Sequence, residues 1–394
     1  MKICFIMTNI FSLGGVQRVV SVLSNELIKK NEIDILCISE KPKGNNDLYN
    51  LALGINVEFN YSLVKTDIFS KVFRKIIKNI NMKTGILNNE YYYKKLINVY
   101  FPNKVRENFV KYFNKKQYDI IIGVEGLFSI LLGSIKEELN SKVLGWQHNS
   151  YDAYLKNPNR YFWNLDVLFN KYICKLDKYI VLTNYDKVMY KNEKNIESDV
   201  IYNPLSFESN EKSTCSKKNV LFVGRLVEQQ KGLDLLIQAF NRVCLKNKDW
   251  ILKIVGDGPD KEKLEQLIEN LKLSERIKIE PSTSNIQEYY LNSSIFVSSS
   301  RWEGFGLVIT EAMECGLPVV AFDNSGPREI INKNYENGIL VPCEDVDSLA
   351  NAILDLINNE EKRKKISELA INRAKDFSIN KISSDWNNIF NLLI

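Results

Sequence analysis

At 394 residues, 45% hydrophobic and 26% charged, with a net charge of +5, the chain has the size and balance of about two soluble globular domains. No apolar run reaches the roughly 18 residues that a membrane-spanning helix needs, and the single histidine, His148, excludes a metal site or acid–base device built on two histidines. Seven cysteines, odd in number and without a close pair, argue against a disulfide framework or zinc site and point to a reducing cytoplasm.

The first apolar run, residues 2–8, leads without a small-residue cleavage site into Gly14-Gly15-Val16-Gln17-Arg18 and a helical pattern. It therefore reads as a buried strand and not as a signal segment. Further strands are predicted at 33–39, 119–124, 142–145, 179–182 and 200–202, then at 220–223, 251–255, 276–279, 295–297, 318–322 and 338–341, with longer amphipathic runs between them. That alternation is the pattern of parallel sheets covered by helices. The polar stretch 208–219, following Asn203-Pro204, is the expected linker. Two facing doubly wound domains would leave a cleft at the carboxyl ends of their strands, where such sheets bind ligands.

Residues 60–120 interrupt the alternation and carry 13 Lys or Arg against 4 Asp or Glu, a balance of 13 − 4 = +9. Ile68, Phe69, Val72, Phe73, Ile76, Ile77 and Ile80 recur there at helical spacing, with Lys71, Arg74, Lys75 and Lys78 on the other face. Such a helix either packs its apolar face on its own domain or, over residues 68–80, lies on an anionic membrane surface. Nucleic acid is not an expected partner, since no recognised module accompanies the charge.

The most informative segment is Arg301-Trp302-Glu303-Gly304-Phe305-Gly306-Leu307-Val308-Ile309-Thr310-Glu311. Two carboxylates stand eight residues apart, and the first is followed by a glycine-rich turn between a buried strand and a helix. A loop of this kind presents backbone N–H groups at a helix N-terminus and suits a phosphate or sugar hydroxyls. In Val223-Gly224-Arg225-Leu226 and Gln230-Lys231-Gly232, two cations six apart follow a strand, an arrangement suited to a diphosphate. Gly15 lets the backbone of the first strand-to-helix turn approach a ligand. His148, in Gly145-Trp146-Gln147-His148-Asn149-Ser150, follows a strand among polar neighbours and is a candidate for substrate contact. Asp345-Val346-Asp347 looks like a divalent-metal motif but opens a helical pattern, so N-capping explains it better.

These pieces, with Gly256-Asp257-Gly258-Pro259 and Glu311-Ala312-Met313-Glu314-Cys315-Gly316-Leu317-Pro318, resemble the retaining glycosyltransferases of family 4 across some 170 residues of the second half. The His148 segment with Tyr154-Leu155 resembles members that build bacterial surface polysaccharides on lipid carriers. The resemblance implies an α/β GT-B fold of two Rossmann-like, doubly wound parallel-sheet domains facing a central cleft. It divides the chain into an acceptor-binding domain at 1–203, a donor-binding domain at 204–378, and a terminal helix at 379–394 that returns to the first domain.

The implied activity is transfer of a hexose from a nucleotide diphosphate sugar, expected to be UDP-linked, to a growing lipid-linked glycan. It needs neither a metal nor another cofactor and takes place at the cytoplasmic face of the cell membrane. Arg225 and Lys231 would hold the diphosphate, Glu303 the sugar hydroxyls and Glu311 the ribose. Gly224 and the backbone of Gly304, Phe305, Gly306 and Leu307 would line the donor, Gly15 would crowd the diphosphate, and His148 would touch the sugar near the reacting carbon. The catalytic set is His148, Arg225, Lys231 and Glu303. The alternatives are a sugar-nucleotide epimerase of the same fold, or a non-catalytic nucleotide-binding partner of another transferase.

Overall fold

A computed structural model describes residues 1–42 and 47–394, in two compact units: Met1–Pro204 with Ile379–Ile394, and Leu205–Ser378. The described residues of the first form seven strands, β1 (Lys2–Met7), β2 (Glu32–Cys37), β3 (Asn56–Phe59), β4 (Ile120–Val124), β5 (Lys142–Trp146), β6 (Lys178–Val181) and β7 (Asp199–Val200). They lie in the order β3-β2-β1-β4-β5-β6-β7, and every pairing is parallel. β1 is central because Ile3, Cys4, Phe5 and Ile6 can be buried on both faces at once, as parallel sheets require. The edge strand β3 is half-exposed and alternates polar with apolar residues, and the sequence pattern gave no strand there.

The second unit holds β8 (Asn219–Val223), β9 (Ile251–Val255), β10 (Ile277–Glu280), β11 (Ile295–Ser298), β12 (Val319–Phe322) and β13 (Ile339–Val341). Their order is β10-β9-β8-β11-β12-β13, again all parallel. Strand order reverses at β1/β4 in one sheet and at β8/β11 in the other. The loops leaving the carboxyl ends of those pairs diverge to opposite faces and open a crevice, so the fold puts residues 224–232 and 299–306 at one switch point.

Residues 208–219 are not a free linker; the unit boundary falls at Pro204/Leu205. Several of their polar groups are bound within the second unit. Ser209 N–H and Lys212 Nζ both donate to Glu314 (2.9 and 2.6 Å), Ser213 Oγ donates to the Ser293 carbonyl (2.5 Å), and Arg363 donates to the Cys215 carbonyl (3.0 Å). The helix Ile379–Leu393 packs on α1 (Gly15–Leu27) of the first unit. Its Trp386 is fully buried edge-on to Trp146, with ring centroids 4.8 Å apart.

The basic amphipathic helix is α2 (Ile68–Thr84). It is capped by the Asp67 side chain and tied to the unit through buried Asn81, whose amide donates to the Asn164 carbonyl (2.9 Å). Except for half-buried Ile77, the apolar stripe does not pack inward: Phe69 is 88% and Phe73 64% exposed, and Ile68, Val72, Ile76 and Ile80 are exposed with them. No helix among the described residues is long and apolar enough to cross a membrane.

Candidate functional site

Gly224 follows β8 directly, and a Cβ on the neighbouring Gly256 would fall 1.9 Å from the Gly224 carbonyl oxygen; only glycine lets the two strand ends lie so close. Arg225 follows, exposed, its side chain without a partner among the described residues. The short helix Glu228–Lys231 then ends on Gly232 at φ 59°, with no room for a side chain against the Ser299 carbonyl oxygen (2.1 Å).

The loop after β11 is stitched to that short helix. Arg301 N–H donates to the Gln230 carbonyl (2.8 Å), and Ser299 Oγ to the Lys231 carbonyl (2.8 Å). The Arg301 guanidinium forks onto Asp234 (3.1 and 2.8 Å) and reaches the Glu228 carbonyl (3.0 Å). Asp234 holds this guanidinium firmly in its charged form. This frame brings Lys231 Nζ to 2.5 Å from Glu303 Oε1, which also accepts from Ser300 Oγ (2.6 Å). Asn324 fixes the turn by accepting from Glu303 N–H (3.2 Å) and donating to the Ser300 carbonyl (2.9 Å). Both members of the Lys231–Glu303 pair are largely buried, so neither is a solvated surface charge.

Gly304, Phe305 and Gly306 carry the backbone into the helix Leu307–Glu314, whose N-terminus has no side-chain cap. Its first N–H groups and its dipole are thus left for an anionic or hydroxyl-bearing ligand. Phe305 contributes only backbone, because its ring is buried edge-on against Phe377 (5.5 Å). Glu311 is 1% exposed and its Oε2 accepts from the Tyr290 hydroxyl (2.9 Å), so it faces inward rather than back into the loop. The structure thus joins Lys231 directly to Glu303, sets Gly224 against the Lys231 side chain, leaves Arg225 open to solvent, and pairs Glu311 with Tyr290.

Sequence reasoning gave no roles to Arg301, Asp234, Ser300, Asn324 or Tyr290. Apart from Ser300, three residues from Glu303, the partners named above lie 21 to 73 residues away, beyond what a local motif encodes, although Arg301 directly before Trp302-Glu303 was a usable signal.

In the first unit, Gly15 opens α1, and the Tyr49 hydroxyl bridges the Gly14 backbone, accepting from its N–H (2.8 Å) and donating to its carbonyl (3.1 Å). His148 packs on Trp146 with ring centroids 4.3 Å apart, and its Nε2 is buried with no hydrogen-bond partner among the described residues. Burial presses its protonation down to about 3, so the ring is neutral at physiological pH. Asp345 is an N-cap, accepting from Ser348 N–H (2.9 Å), and Asp347 pairs with Arg242. Among the described residues no three His, Cys, Asp or Glu side chains gather as metal ligands, and all seven cysteines are free thiols.

Two doubly wound parallel-sheet units, the second with cations and an uncapped helix N-terminus at its switch point, are the GT-B architecture. Residues 206–373 match the family described as glycosyl transferases group 1, and the chain belongs to that family. It is 28% identical over 397 residues to an uncharacterized glycosyltransferase of Haemophilus influenzae, covering 98% of this chain and 99% of that one. It is 32% identical over 256 residues to a glycosyltransferase of Methanocaldococcus jannaschii, covering 63% and 67%. It is also 28% identical over 250 residues, covering 59% and 64%, to a Campylobacter jejuni enzyme named as an N-acetylgalactosaminyltransferase acting on a diphospho-undecaprenol-linked sugar. Among solved structures, S. aureus TarM in complex with Fondaparinux, alpha-GlcNAc-glycerol and UDP has the same fold, with a TM-score of 0.74 at 18% identity over 99% of both chains.

Proposed function

We propose that this glycosyltransferase moves a hexose from a UDP-sugar to a growing, lipid-linked bacterial glycan, with retention of anomeric configuration and without a metal, at the inner face of the cell membrane. The observation that carries this reading is the largely buried Lys231–Glu303 pair, held 2.5 Å apart at the switch point beside an uncapped helix N-terminus. The choice of donor and acceptor draws on the UDP bound to TarM and the polyprenol-linked substrate named for the Campylobacter relative.

On this reading the pair is a latch that the donor opens. The diphosphate draws Lys231 away from Glu303, and the freed carboxylate accepts from hydroxyls of the sugar. Arg225 and Lys231 then offset the charge that grows as nucleoside diphosphate departs. The backbone at Gly224 and 304–307 lines phosphate and sugar, and Glu311 is assigned to the ribose hydroxyls. From the first unit we assign Gly15 to the diphosphate and neutral His148 to the sugar near the reacting carbon. The bond from anomeric carbon to diphosphate oxygen breaks, the acceptor oxygen bonds to the same face, and its proton passes to the departing phosphate.

Lys231→Ala and Glu311→Ala should each cut transfer by about 100-fold or more with an unchanged circular dichroism spectrum. Normal activity in both variants would refute the assignment. Product stereochemistry by NMR tests retention, and an inverted linkage would overturn it. Incubation with a UDP-sugar alone should leave the sugar unepimerised.

A further inference from the structure

Apart from half-buried Ile77, the apolar stripe of α2 is not packed on its own unit. Ile68, Phe69, Val72, Phe73, Ile76 and Ile80 share one face and are all exposed, whereas the helix is anchored through Asn81 and through Lys78, whose ammonium lies 4.3 Å from the centre of the Tyr100 ring. A contiguous exposed patch of this kind marks a docking surface.

Beside it, and sharing Phe73 as a wall, opens a hollow of about 750 Å³ lined by Lys65, Thr66, Ser70, Arg74 and Lys104. Arg74 is held at its wall, with Nε donating to the Ser70 carbonyl (3.2 Å) and Nη2 to Thr66 Oγ1. The hollow therefore carries three cations, one of them fixed. Its only acid among the described residues, Asp67, is already spent on capping α2. Lys71 and Lys75 border the stripe outside it.

We propose that α2 lies in the surface of an anionic bilayer. The stripe sits at the headgroup–acyl boundary, and the hollow takes the phosphate of an anionic phospholipid between Lys65, Arg74 and Lys104. The charge fits this occupant: residues 60–120 carry +9, and the rest of the chain 5 − 9 = −4, so this is the region that a negative surface attracts. A second copy fits poorly, because pairing stripe to stripe would bring Lys71, Arg74 and Lys75 of both copies together. Membrane docking at the named hollow deepens the lipid-linked reading but is tested apart from it, since the experiment contains neither donor nor acceptor.

The full chain is floated with vesicles of phosphatidylcholine alone and of phosphatidylcholine with phosphatidylglycerol, at low and high salt. The expected result is binding to the anionic vesicles only, weakened by salt. The double change Phe69→Ser with Phe73→Ser should abolish it. Lys65→Glu with Lys104→Glu should weaken binding by about tenfold or more, and clearly more than the charge-matched Lys94→Glu with Lys111→Glu. Each variant is first confirmed by its melting curve to be folded. Equal binding to neutral vesicles would overturn the role of charge, and equal losses from the two lysine pairs would overturn the hollow. Concentration-dependent dimers without vesicle binding would mean that a second copy covers the stripe.

Discussion

Arg301 is the residue on which the Lys231–Glu303 contact depends, although it touches neither side chain. Its guanidinium grips Asp234 with two hydrogen bonds and the Glu228 carbonyl with a third, which fixes the short helix that carries Lys231. Lysine at 301 would keep the charge and lose the fork. Arg301→Lys should therefore lower kcat several-fold while shifting the melting temperature by only a few degrees; unchanged kinetics would show that the fork is not needed.

The single histidine offers a second measurement. The unfolded chain takes up a proton near the ordinary value of 6.5, whereas the folded chain does so only near 3. Stability is therefore full above that ordinary value and drains as pH falls toward about 3, by at most about 1.4 kcal/mol per pH unit. His148→Gln should flatten the denaturant-measured stability between about pH 7 and about pH 5, and an unchanged slope would assign the proton uptake elsewhere.

At the scale of elements, the second unit's switch point is a seam between two loops that only glycine at 232 allows to close. Gly232→Ala would place a Cβ 2.1 Å from the Ser299 carbonyl oxygen at a positive φ, costing about 1–3 kcal/mol. It should lower the melting temperature and, by parting the loops, depress transfer as well; a neutral effect on both would mean that the seam is slack.

The elements best legible in the sequence were those whose burial leaves a continuous apolar run, such as β1 and β11, because parallel strands covered on both faces admit little else. The edge strand β3 was not legible, since one open side lets it mix Asn, Val, Glu and Phe. Residues 208–219 misled for the opposite reason. Their polar side chains suggested a solvated linker, yet partners as distant as Glu314 hold several of their groups. For the same reason the sequence motif located Lys231, Glu303 and Glu311 but could not say that Glu311 turns toward Tyr290.

For the molecule as a whole, the division into units does not follow chain order. The chain leaves the first unit at Pro204 and re-enters it at Ile379, so the second unit is contiguous in sequence and the first is not. A fragment spanning Leu205–Ser378 should therefore fold alone, with a cooperative melt. Ending the chain at Ser378 should destabilise only the first unit, because Trp146 and α1 lose the cover of Ile382, Trp386 and Phe390. Two separated calorimetric transitions, with only one displaced by that truncation, are the expected outcome; displacement of both would mean that the units melt as one.

The same re-entry sets an order of events during synthesis. The indole that shields Trp146 is translated only after every residue of the second unit, so on the ribosome the portion of the chain made first must wait, incompletely sealed, while the portion made later can already close.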